Sequence, residues 1–317
     1  MSKKNFADML LDKIAEMNNP SIGGLDPKLD YIPRSILDES YEMCEGDCFN
    51  AAAHALLKFN IRLIDAVCDI IPAVKVQMAY YEMYGVPGME AFRRTCEYAK
   101  SKGLIVVADG KRNDIGSTSQ AYSDAYLGST DFSAFGAQAQ NAYDIDCLTV
   151  NPYLGIDGIK PFLDNCSANG KGIFALVKTS NPSSGQIQDQ ELAGGDKVFE
   201  SVADLVNEWG RDLVGDSGYA SVGAVVGATW PEQAKILRKQ MPEAIFLVPG
   251  YGAQGGSGET VAVNFDKDGK GAIVNASRSF MCAYKSERWK DTFSPDEFDL
   301  AARAEMMRMR DEINSFL

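Results

Sequence analysis

The feature that most limits the fold of this sequence is a series of eight short apolar runs, separated mostly by amphipathic helical patterns. They are Ser21 to Asp26, Ala73 to Met78, Leu104 to Asp109, Cys147 to Asn151, Ile173 to Lys178, Val222 to Gly227, Ile245 to Val248 and Ile273 to Asn275. These runs are apolar nearly throughout rather than alternating, the pattern of parallel strands covered by helices. An eightfold β/α series closes naturally into a (β/α)8 TIM barrel, and 317 residues suit one such domain with insertions at its C-terminal mouth. The expectation is therefore a single α/β domain over residues 1–317. A helix near 2–18 would precede the barrel, and a helix near 295–317, announced by Ser294, Pro295 and Glu297 as a capping box, would follow it.

Charge and cysteine content narrow the function. A formal net charge of -13 repels nucleic acid and anionic membrane surfaces, so an anionic ligand needs a local positive site. The apolar runs are strand-sized and the N-terminus has no leader pattern, which reads as a cytoplasmic protein. Seven scattered cysteines fit reduced thiols rather than a disulfide framework. Cys44 and Cys48 form the one close pair, and with a single histidine no structural metal site is expected. That histidine, His54, lies in an Ala-rich helical stretch and reads as structural. Its solitude and helical setting speak against a Ser-His-Asp triad, leaving acid and base work to lysine and aspartate.

Several strand runs end in polar residues, so chemistry should collect at the barrel mouth. Asp109 and Lys111 are two apart and share a face if the strand persists to its end. Asp114 breaks that parity and is either brought round by a turn or supplied to a neighbouring subunit. Lys75, inside the second apolar run, requires an acidic partner because a buried unpaired ammonium is costly, and Asp109 on the next strand is the candidate. A lysine between carboxylates has its ammonium form favoured, which suits a proton donor. The glycine-rich stretch from Pro249 to Thr260, holding Gly250, Gly252, Gln254 and Gly255, together with Ser277 and Arg278 after the eighth run, suits a phosphate. Pro27 to Asn50 and Asn181 to Gly195, the latter opening an insertion that extends to about 220, read as excursions over the mouth, the second as a lid.

These motifs in this order resemble orotidine 5'-phosphate decarboxylase, in particular the longer bacterial-type (type 2) branch. The resemblance rests on Gly24-Leu-Asp26-Pro, Val74-Lys75-Val, Asp109-Gly-Lys111-Arg-Asn-Asp114-Ile, Thr149-Val-Asn151-Pro-Tyr, Lys178-Thr-Ser180-Asn-Pro, the Pro249 to Gly256 loop and Ser277-Arg278-Ser. It implies a homodimeric, cofactor-independent carboxy-lyase of pyrimidine biosynthesis that converts orotidine 5'-monophosphate to UMP. Lys111 would protonate C6 within a network of Lys75, Asp109 and Asp114, the last from the other subunit. Asp26 and Lys75 would hold the ribose, Thr118 would assist from the partner, Ser180 would address the pyrimidine amide, and Gln254 and Arg278 would bind phosphate. Asn151 is carried over as a further substrate-binding position. Two departures stand out: Gly116 where many members have proline, and Asn275-Ala-Ser277 in place of Val-Gly before the arginine. Similar barrels in metal-dependent sugar-phosphate enzymes use an acidic residue on the second strand, where this chain has Lys75. A barrel that only binds a phosphorylated ligand would leave the charged rows without a purpose.

Overall fold

The computed structural model describes residues 3–252 and 255–317. Its eight strands are β1 (Ser21–Leu25), β2 (Ala73–Gln77), β3 (Ile105–Arg112), β4 (Cys147–Val150), β5 (Gly172–Lys178), β6 (Ala220–Val226), β7 (Ala244–Val248) and β8 (Ala272–Ala276). All pair in parallel in sequence order, and β8 returns to β1 to close the barrel. Each expected run is a strand. The largest difference is β3, which continues past Asp109 to Arg112 through an irregular register against β4.

The unbroken apolar runs follow from burial on both faces. One set of side chains, including Ile22, Val107, Phe174, Leu247 and Ile273, fills the barrel interior. The other set, including Val74, Val106, Leu148 and Val226, packs against the surrounding helices. Helix Phe6–Met17 is capped by Asn5, whose side chain accepts from Ala7 N at 2.7 Å. It buries Phe6, Ala7 and Leu10 against the interior set, with the Phe6 ring edge-on to Phe174 at 6.0 Å. Its contacts include β6.

The capping box at Ser294 and Glu297 forms, on a 3-10 turn that leads into helix Phe298–Asn314. That helix also reaches the mouth. Glu312 accepts from Tyr251 Oη at 2.6 Å and from Gly258 N at 2.8 Å, anchoring both flanks of the glycine-rich loop after β7. The excursions are more regular than a loop reading suggests. Residues 27–50 contain helix Arg34–Met43, which buries Ile36 and Ser40, and the Ser40 hydroxyl lies 2.9 Å from His54 Nδ1. The second half of 181–220 is helix Val198–Gly210, with Phe199, Ala203 and Val206 in the core. Among the described residues no helix is long and apolar enough to cross a membrane.

Candidate active site

A cavity of about 720 Å³ opens at the C-terminal mouth, bordered by residues on or just after all eight strands. Its charged side is built by β1, β2 and β3. Lys75 is buried and donates to Asp109 Oδ2 at 3.0 Å and to Asp26 Oδ1 at 3.1 Å. Lys111 donates to the other oxygen of the same carboxylate, Asp109 Oδ1, at 2.6 Å. Two ammonium groups therefore alternate with two carboxylates along the cavity wall.

Asp109 is the centre of this array. Burial pushes its carboxyl upward, but the Lys75 and Lys111 charges outweigh that and hold it well below the usual carboxylate range. Burial likewise would lower Lys75, and the Asp109 and Asp26 carboxylates more than reverse it, so its ammonium form is favoured beyond that of an ordinary lysine. Gln77 Nε2 at 2.7 Å and the Thr149 hydroxyl at 2.8 Å complete the shell of donors on Asp109. Thr149 Oγ1 in turn accepts from Lys111 N at 2.9 Å, fixing the backbone of the lysine as well as the carboxylate it meets.

Gly250 after β7, Ser277 and Arg278 after β8, and Ser180 after β5 border the same cavity, with the β8 residues next to β1. The Ser277 hydroxyl accepts from Asn275 Nδ2 at 3.1 Å. Gly252 and Gly255 adopt φ of 72° and 90° within the loop but do not border the cavity. Gln254 lies outside the described residues.

Three further expected positions lie elsewhere. Asn151 follows the end of β4, and its side chain accepts from Tyr153 N at 3.0 Å, capping a 3-10 turn instead of facing the cavity. Asp114 accepts from Ile115 N at 2.8 Å, and Thr118 is exposed on helix Gly116–Tyr126; neither borders the cavity of its own chain. Thr149 and Gln77 were not singled out from the sequence, although strand parity carries the signal. Gln77 stands two residues beyond Lys75, and Thr149 two beyond the inward-facing Cys147.

Comparison with known proteins decides the family. Residues 51–288 match the model described as the orotidine 5'-phosphate decarboxylase / HUMPS family. The chain belongs to that family. The orotidine 5'-phosphate decarboxylase of Caldicellulosiruptor bescii is 45% identical over 283 residues, covering 89% of this chain and 91% of the relative. That of Rhodopirellula baltica is 42% identical over 308 residues, covering 97% and 98%. Among solved structures, the OMP decarboxylase of Leishmania donovani superposes with a TM-score of 0.72 at 26% identity, covering 98% of each chain. The closed barrel of this chain is thus the fold of the family, and the longer bacterial-type branch is compatible with these relatives.

Proposed function

We propose that this protein decarboxylates orotidine 5'-monophosphate to uridine 5'-monophosphate, with Lys111 as the proton donor to C6. The observation that carries the reading is the row Asp26, Lys75, Asp109, Lys111, lining a cavity that also reaches Arg278. The C6–carboxylate bond breaks, its electron pair remains on C6, carbon dioxide leaves, and the Lys111 ammonium delivers its proton to that carbon. Asp109 is ionised at neutral pH because the two lysines hold it so, and its negative charge faces the departing carboxylate. Lys75 and Asp26 meet the ribose hydroxyls, Ser180 addresses the pyrimidine amide, and Arg278 pairs with the phosphate.

Such a reaction has no electron sink, and an enzyme may need about 20 kcal/mol of transition-state stabilisation. Proton donation by one residue gives about 10² to 10⁴-fold. Most of the barrier reduction must therefore come from preorganised ammonium charge near C6 and from phosphate binding energy spent on closing the site.

A homodimer with shared sites accounts for Asp114 and Thr118. Beside them Ile115, Tyr153, Leu154 and Ile156 are exposed apolar residues, and the Ser119 hydroxyl donates to Gly158 O at 2.7 Å, joining the two segments into one surface. A second copy covering that surface would bring its Asp114 and Thr118 to the neighbouring cavity. A metal-dependent reaction would need an acidic ligand where β2 carries the Lys75 ammonium, so no cofactor is assigned. Seven free cysteines suit a reducing, cytoplasmic setting. The test is incubation with orotidine 5'-monophosphate in EDTA, following the ultraviolet change of conversion to UMP. No conversion sinks the reading, and conversion only with added Mg²⁺ moves the protein to the metal-dependent class.

A further inference from the structure

Lys178 closes β5, and its side chain is fully buried, where an ammonium must find partners. It finds them in the excursion that follows. Lys178 Nζ lies 2.8 Å from Asp189 Oδ1 and 3.2 Å from Ser184 Oγ, and sits over the Trp230 ring at 4.9 Å from its centre. Gly185 leaves room for the carboxylate, since a Cβ there would stand 2.6 Å from Asp189 Oδ2.

Around this pair the chain is folded back on itself. Gln188 Oε1 accepts from Thr179 N at 3.0 Å, and its Nε2 donates to Thr179 Oγ1 at 2.8 Å. From the turn after β6 the Trp230 indole donates to Thr179 O at 2.9 Å, and the Thr229 hydroxyl to Ser180 O at 3.1 Å. Thr179, Ser180, Asn181 and Gln188 all border the cavity. The glycine-rich loop after β7 has a separate anchor in Glu312. The two loops thus have different side-chain anchors, joined through the turn after β6, where Ala228 N donates to Pro249 O at 2.9 Å.

We propose that Lys178 is a positioning residue whose ion pair with Asp189 holds the 179–189 segment in the shape that recognises the base of a bound pyrimidine nucleotide. The inference rests on the nucleotide reading above. It goes further in assigning base recognition, and not phosphate binding, to an ion pair of a buried lysine and a half-buried aspartate that does not border the cavity. Breaking one side of such a pair leaves a buried charge, so the pair must be probed both by neutralising Asp189 and by replacing both members.

The experiment compares inhibition by UMP with inhibition by ribose 5-phosphate, which keeps the phosphate and lacks the base. It is run on wild type, Asp189→Asn, Asp189→Glu and Lys178→Met/Asp189→Leu, each checked by thermal melting. Asp189→Asn is expected to weaken UMP about tenfold, the order of a lost charged contact, and to raise KM for orotidine 5'-monophosphate more than it lowers kcat. Ribose 5-phosphate should be unaffected. Asp189→Glu should recover most of the loss, and the double variant should repeat it without an isolated charge. Equal weakening of both ligands, or no weakening of UMP in either the single or the double variant, overturns the proposal. Failure of the nucleotide reading is visible separately, as wild-type protein that binds UMP no better than ribose 5-phosphate.

Discussion

The Lys111 ammonium meets the Asp109 carboxylate at 2.6 Å although the strand between them has lost its regularity. Lys111 has φ of 47°, a left-handed conformation that costs a non-glycine residue about 1 kcal/mol or more. The Thr149 hydroxyl, bonded both to Lys111 N and to Asp109, holds the backbone in that turn. A backbone fixed from two sides suits the proposed role of Lys111 as proton donor. Lys111→Ala should lower turnover of orotidine 5'-monophosphate by at least about 10²-fold. UMP binding, measured by calorimetry, should stay within about tenfold; a variant that turns over normally removes Lys111 from the chemistry.

The same carboxylate makes the protein sensitive to acid. Asp109 is held below its ordinary pKa, so its stabilising contribution is complete above the unfolded value of about 3.9 and is lost as pH falls toward the depressed folded value. Lys75 acts in the opposite sense: its raised pKa gives a contribution complete below about 10.4, lost only as pH rises through the folded value. Urea midpoints should therefore separate wild type from Asp109→Asn by a constant amount near neutrality. That gap should narrow below about pH 4, because the wild type then loses what the variant lacks already. A gap that stays constant into that range would show that the Asp109 charge is not coupled to folding.

Much of this site could be read from the sequence because burial and parity are local signals. Lys75 had to find an acid because it stands in an apolar run, and it has two. Asp109 and Lys111 were paired by strand alternation, but the true cause is a turn at Lys111, which leaves the same outcome for a different reason. Asn151 lies just where strand geometry stops. β4 ends one residue earlier, at Val150, and the freed side chain caps the next turn. The helix Arg34–Met43 was missed because only Ile36 and Ser40 of its ten residues are buried, too narrow a stripe to mark a helix by periodicity. Lys178 and Asp189 form a contact between residues eleven apart, set by how the excursion folds. No period in the chain announces it.

Gly24 is required by a close approach. A Cβ there would lie 2.0 Å from the Ser277 hydroxyl and 2.8 Å from Asn275 Oδ1. Gly24→Ala must shift the Ser277 and Asn275 side chains or the strand ends that carry them, next to Arg278. A loss of about 1–3 kcal/mol in stability is expected, together with a raised KM for the phosphorylated substrate. Gly24→Ala/Ser277→Gly, which restores the space, should recover most of the melting temperature. If it does not, the clash is not the cause.

The proposed sharing of sites between subunits gives the sharpest test of assembly. Lys111→Ala and Asp114→Ala are each expected to be nearly inactive alone, the first for want of the proton donor and the second for want of the partner's carboxylate. In a dimer of one copy of each, one cavity combines both defects, while the other joins an intact Lys111 to an intact Asp114. Random exchange makes half the dimers mixed, and each mixed dimer has one good site in two, so an equal mixture should recover about a quarter of wild-type activity. The recovery should depend on protein concentration and on time allowed for subunit exchange. A mixture as inactive as its components, under conditions where pull-down on a tag carried by one variant shows exchanged dimers, would mean that Asp114 serves its own chain.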